Sequence, residues 1–152
     1  MLGELGGERV LDLFAGTGAL GIEALSRGAA KAVFVERDAR AAAVLRENLD
    51  ALEIGPERAE LRRGDALAVL RSAAGRDELY DLVLIDPPYG DAAQLGRMLP
   101  PLLAPLLAPG ARVVTESDRR TPLGLDVPIA TERRYGDTSI TITSPWPDPS
   151  AR

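Results

Sequence analysis

Histidine and cysteine are both absent from these 152 residues. Without cysteine there is no disulfide, no thiolate nucleophile and no cysteine-held metal or iron–sulfur cluster. Without histidine, any general base has to be a carboxylate, a tyrosine or solvent. Aromatic residues make up only 4% of the chain, and Lys31 is the one lysine among 18 basic residues, leaving 17 arginines, which reads as compositional bias as much as function. The formal net charge of −5 and a pI near 4.8 argue against strong nucleic-acid binding by the chain as a whole. Local basic patches remain compatible with that balance, with Arg62-Arg63, Arg119-Arg120 and Arg133-Arg134 as the candidates. No apolar run is long enough to span a bilayer. The glycine-rich start, with Glu4 and Glu8, lacks the basic and apolar regions of a signal peptide. A cytoplasmic location with no membrane partner is expected.

What is present alternates between two periods. Mostly apolar runs at residues 9–14, 32–35, 82–85 and 111–116, the last entered through Pro109-Gly110, read as strands, as does Ala59-Glu60-Leu61-Arg62. Helical spacing occupies residues 18–27, 39–52 and 66–74, and a broken pattern over 92–107 is interrupted at Pro100, Pro101 and Pro105. The tail from 126 to 143 reads as two strands joined at Tyr135-Gly136-Asp137-Thr138, the second alternating Thr and Ile as antiparallel strands do. Five strands alternating with four helices, plus a hairpin, predict an α/β, Rossmann-like sheet of seven strands, mostly parallel, with a C-terminal antiparallel hairpin strand. The length suits one domain, placed at 1–144, with 145–152 as a tail.

Chemistry gathers where the predicted strands end. Leu82-Val83-Leu84-Ile85 runs into Asp86-Pro87-Pro88-Tyr89. Proline cannot continue a ladder, so an acid, two stiff residues and a flat aromatic face stand exposed there. Such a platform fits a planar ring carrying an exocyclic amino group; the plainer reading is a rigid turn. The first strand runs into Ala15-Gly16-Thr17-Gly18-Ala19-Leu20-Gly21 and then a helix. Strand, glycine loop and helix open a doubly wound nucleotide-binding fold, and Glu36 lies about twenty residues further on, where a ribose would be held. NAD and S-adenosylmethionine both suit that spacing. Asp12, inside the first strand, favours S-adenosylmethionine, because an acid there suits an ammonium and a sulfonium and repels a pyrophosphate. Asp65, ending the third strand, is placed to accept from an adenine amino group. Asp38 and Asp65 are also fit to cap the helices after them, and that role is assigned to Asp38.

On these residues the chain resembles the class I S-adenosylmethionine-dependent methyltransferases, and more closely the RsmD family, which methylates the exocyclic N2 of a guanine in small-subunit (16S) ribosomal RNA. The stretches are Val10 through Ala29, Phe34-Val35-Glu36-Arg37-Asp38, Gly64-Asp65-Ala66, Asp81 through Tyr89 and Arg134-Tyr135-Gly136-Asp137-Thr138. The Asp-Pro-Pro-Tyr motif is shared with methyltransferases of adenine and cytosine amino groups, which stay open as alternatives, as does a cofactor-binding core without activity. The resemblance implies cofactor contacts at Asp12, Ala15, Gly16, Thr17, Gly18, Glu36, Arg37, Asp65, Ala66 and Asp86. It implies a catalytic platform of Asp86, Pro87, Pro88 and Tyr89, no metal, and ribosomal RNA, free or within an assembled small subunit, as partner of a monomer. Family members usually begin with an arginine-rich arm of the pattern R-P-T-x-x-x-R-V-R-E, which does not precede the first strand here, so weaker RNA binding is expected. Lack of cysteine excludes the cysteine-dependent route to carbon methylation of pyrimidines and radical methyl transfer.

Overall fold

The structure is a computed structural model that describes residues 3–88, 90, 92–118, 123–125, 131–135 and 138–143. Its elements are β1 (Arg9–Asp12), α1 (Ala19–Ser26), β2 (Lys31–Glu36), α2 (Ala39–Ala51), β3 (Ala59–Arg63), α3 (Ala66–Ala74), β4 (Tyr80–Ile85), α4 (Ala92–Leu103), a 3-10 turn (Ala104–Leu106), β5 (Leu107–Asp118), β6 (Thr131–Tyr135) and β7 (Thr138–Thr143). The strands form one sheet in the order β3-β2-β1-β4-β5-β7-β6. β1 pairs in parallel with β2 and β4, β2 with β3, and β4 with β5. Strand order reverses between β1 and β4, so the crevice for a ligand opens at the C-terminal ends of those two strands.

Both faces of the sheet are covered, which is why the central strands read as continuous apolar runs. Leu11, Val33, Val83 and Val113 face one cluster with Leu70, Ala73, Leu95 and Leu99 of α3 and α4. Val10, Phe34, Leu84 and Val114 face the other with Ala24, Leu25, Leu45 and Leu49 of α1 and α2. Phe34, Leu45 and Leu84 are at most 1% exposed. Truncating any of them to alanine would cost about 2–5 kcal/mol. Because side chains alternate along a strand, Asp12 shares the face of Val10 and points toward α1.

Two elements differ from the sequence expectation. The broken pattern after Ala92 is an unbroken helix to Leu103, with Pro100 and Pro101 inside it. Each proline removes one N–H from the helical ladder. Burial of Leu95, Leu99 and Leu103, spaced four apart on one stripe, carries the helix through. Gly96 lets this helix meet the Gly124 backbone, since a Cβ there would stand 2.3 Å from the Gly124 carbonyl oxygen. β5 starts at Leu107, earlier than expected, because Leu107 already pairs with Tyr80 before a register shift absorbs Pro109-Gly110. Gly110 has φ +78°, the left-handed conformation that such a bulge favours glycine for.

The hairpin is as expected. β7 runs antiparallel to both β5 and β6, so β6 runs parallel to β5. Thr138 pairs with Asp118 and with Tyr135, which puts the strand ends flanking the turn at the C-terminal edge of the sheet, the edge of Asp86.

Candidate active site

The glycine loop is shaped by its neighbours as much as by its own residues. Gly16 and Gly18 have φ of +58° and +91°, where a side chain is strained. Gly18 also lies against Leu45, whose Cδ1 would be 2.1 Å from an added Cβ, whereas Gly16 faces open space. The Gly18 N–H donates to the Ala15 carbonyl at 2.8 Å, and the Ala15 N–H to the Val35 carbonyl at 3.0 Å. The Gly16 N–H donates to Glu36 Oε1 at 2.8 Å, while Glu36 Oε2 accepts from the Asp38 N–H at 2.8 Å. Glu36 therefore ties the loop to the turn after β2, and its remaining lone pairs are what it could offer a ribose. Asn48, on α2, holds the loop from outside by donating from Nδ2 to the Thr17 carbonyl at 2.9 Å. Thr17 itself is exposed and Ala15 buried.

Helix α1 starts at Gly18, which has no side chain to cap it. The cap comes from another element. Asp12 Oδ2 accepts from the N–H of Gly21, in the first turn of α1, at 3.1 Å, one of the amides that has no partner within a helix. Gly21 must be glycine for this contact, because an added Cβ would stand 2.3 Å from the Phe34 ring and 3.1 Å from Asp12 Oδ2. Asp12 is 1% exposed, and its other oxygen, Oδ1, is buried with no hydrogen-bond partner. Burial pushes its carboxyl up to about 7; the Gly21 N–H pulls it back in part, and the Asp86 and Glu36 carboxylates push it further up. An unpaired buried acceptor costs about 1–3 kcal/mol, a cost that a ligand donor removes.

The pairing register explains why these acids interact. Asp12 is level with Phe34 on β2 and Leu84 on β4, and Ile85 is level with Thr115 on β5. Glu36 and Asp86 thus lie two residues beyond Asp12 on either side, about 7 Å further along the strand direction, with Glu116 beside Asp86. Asp86 is open to solvent on one side, yet enough protein surrounds it to raise its carboxyl to about 6, helped by the Glu116 carboxylate. Among the described residues, no Arg or Lys acts on either Asp12 or Asp86. Nor does any group of three His, Cys, Asp or Glu among them converge closely enough to hold a metal ion.

The remaining expected residues lie around this row. Asp38 caps α2 by accepting from the Ala41 N–H at 2.9 Å, as expected; Asp65 caps α3 as well, accepting from the Ala68 N–H at 3.2 Å. Asp65 thus has a helix to hold in addition to any adenine. Ala66 is buried, and Arg37 is exposed with its carbonyl accepting from Arg63 Nη2 at 2.9 Å. Pro87 is half-buried and Pro88 exposed. Tyr89, the expected stacking face, lies outside the described residues. The sequence reading missed Asn48, Glu116 and the capping bond from Asp12 to Gly21. A glycine at the start of α1, with no acid in its first turn, was the available signal for the last of these.

A family model described as "Conserved hypothetical protein 95" matches residues 1–144. The chain belongs to that family. Among its relatives is "Putative rRNA methyltransferase YlbH" of Bacillus subtilis (strain 168), 38% identical over 141 residues that cover 90% of this chain and 75% of that protein. "Ribosomal RNA small subunit methyltransferase D" of Haemophilus influenzae is 36% identical over 115 residues. That match covers 74% of this chain and 58% of the relative, so this chain spans under two thirds of that protein. The solved structure of "Putative methyltransferase yhhF" from Escherichia coli superposes with a TM-score of 0.75 at 29% identity, covering 91% of this chain and 76% of that one. The resemblance read from the glycine loop and the Asp-Pro-Pro segment is borne out at the level of the RsmD-like family, and the seven-stranded architecture is that of class I methyltransferases.

Proposed function

We propose that this chain transfers the methyl group of S-adenosylmethionine to the exocyclic N2 amino group of a guanine in 16S ribosomal RNA. The observation that carries the cofactor reading is Asp12, a buried carboxylate with one oxygen unpartnered, in a row of acids with no basic group among the described residues acting on it. A pyrophosphate would be repelled there, and a ligand bearing an ammonium and a sulfonium would be drawn in. The relatives' names support ribosomal RNA as the substrate class, and the RsmD resemblance supports guanine N2.

In this reading Asp12 and the loop from Ala15 to Gly18 hold the methionine portion. Glu36 accepts from ribose hydroxyls, Arg37 lies beside it, and Asp65 with the Ala66 N–H takes the adenine edge. When bound, the cofactor supplies a methyl group made electrophilic by positively charged sulfur. Asp86 accepts from the guanine amino group together with the Pro87 carbonyl, Pro88 stiffens the platform, and Tyr89 stacks on the extruded base. Orientation of the amino group supplies most of the acceleration. Asp86 is ionised above pH about 6, so it works as an acceptor at neutral pH.

The test is methyl transfer from labelled S-adenosylmethionine to naked 16S RNA and to small subunits, followed by mass spectrometry of the nucleosides. N2-methylguanosine is expected from the wild type, and Asp86→Ala should remove it while leaving cofactor binding nearly intact. N6-methyladenosine or N4-methylcytidine would move the activity to another base. Binding of NADH in place of S-adenosylmethionine would sink the cofactor reading.

A further inference from the structure

We propose that Asp12 reads the charge of the bound cofactor, releasing a proton to solvent when S-adenosylmethionine binds and recovering it once the sulfur has become neutral, so that substrate is held more tightly than product. The inference rests on the cofactor reading above and extends it to turnover. Three features of the geometry carry it. Asp12 is buried between β1, α1 and the Phe34 ring, with Oδ2 on the Gly21 N–H and Oδ1 on nothing. The charged groups acting on it are the carboxylates of Glu36 from β2 and Asp86 from β4. Behind Asp86 stands Glu116 of β5, and the charged Glu23 of α1 is engaged by Arg27 at 3.0 Å. Every neighbour that could make an ionised Asp12 affordable by opposite charge is missing from the described residues.

An ionised Asp12 therefore needs a cation from outside. S-adenosylmethionine carries a sulfonium, an ammonium and a carboxylate, for a net charge of about +1 at neutral pH; S-adenosylhomocysteine, with a thioether in place of the sulfonium, carries about zero. Cation binding favours the ionised carboxylate, and by linkage ionisation favours the cation. The balance is one carboxyl O–H lost to solvent on binding and one regained after transfer. In the free protein the carboxyl changes state near pH 7, so the coupling acts in the neutral range.

Isothermal titration calorimetry of the whole chain, at about pH 6.5 in two buffers of different ionisation enthalpy, counts the protons directly. S-adenosylmethionine should release a substantial fraction of one proton per site and S-adenosylhomocysteine clearly less. Affinity for S-adenosylmethionine should fall toward about tenfold per pH unit below the Asp12 transition. Asp12→Asn, which keeps an acceptor for the Gly21 N–H, should release no proton and lose this pH dependence. Equal release with both ligands, or release undiminished in Asp12→Asn, overturns the inference. If that variant does not fold, the comparison of the two ligands on the wild type decides alone. Binding without proton release overturns only this inference; binding of neither ligand at any pH overturns the cofactor reading with it.

Discussion

Gly21 is where the sequence and the packing pull in opposite directions. Alanine is favoured over glycine inside a helix by about 1 kcal/mol, yet a Cβ at this position would collide with the Phe34 ring and press on Asp12. Overpacking of that kind costs about 1–3 kcal/mol. Gly21→Ala should therefore lower the urea midpoint despite the better helix former, and its affinity for S-adenosylmethionine should drop because Asp12 is displaced. At this scale the sequence was informative wherever an acid ended a strand: Asp12, Glu36, Asp65 and Asp86 were all identifiable by position. It was silent on Asn48 and Glu116, whose importance comes from neighbours distant in the chain. Asn48 reaches Thr17 across 31 residues, and Glu116 acts on Asp86 only because β4 and β5 pair.

Among the elements, α2 does two things for the loop. Its buried Leu45 sits under Gly18, and its Asn48 clamps the Thr17 carbonyl. Removing the second contact alone, by Asn48→Ala, should cost about 0.5–1.5 kcal/mol of loop order. The outcome expected is S-adenosylmethionine binding weakened several-fold in a calorimetric titration, with little change in melting temperature. Unchanged binding would show that the loop is held well enough by Glu36 and Ala15. Element boundaries were legible where period and punctuation agreed, as in α3, predicted and found at Ala66–Ala74. They failed at α4 and β5, where local proline chemistry forecast a break. In α4 the burial of Leu99 and Leu103 won, and in β5 a bulge took up Pro109-Gly110 without ending the strand.

For the molecule as a whole, the buried acid sets how stability changes with pH. Burial makes Asp12 hold its proton to about pH 7 when folded, where an exposed aspartate gives it up at about pH 4. Between those values the unfolded chain binds fewer protons than the folded one at this site, so its contribution falls as pH rises from about 4 to 7. The ceiling on that loss is on the order of 4 kcal/mol. Glu78, held below the usual range by Arg62, has the opposite sign and loses its contribution as pH falls. Comparing variants separates the two: Asp12→Asn should melt several degrees above the wild type at about pH 8 and by less than half that margin at about pH 5. Equal melting at both would mean that the Asp12 carboxyl ionises without penalty. The two outermost strands of the sheet show another consequence of where charge is placed. β3 carries Glu60, Arg62 and Arg63, and β6 carries Glu132, Arg133 and Arg134, while β1, β2 and β4 between them bury apolar side chains apart from Asp12 and keep their other charges near the strand ends. Strands that end a sheet are templates for another chain's backbone, and charged side chains on them oppose that pairing. An eighth strand from a second copy would have to desolvate arginines and carboxylates at either end, so the sheet resists growth into fibres by addition at its margins.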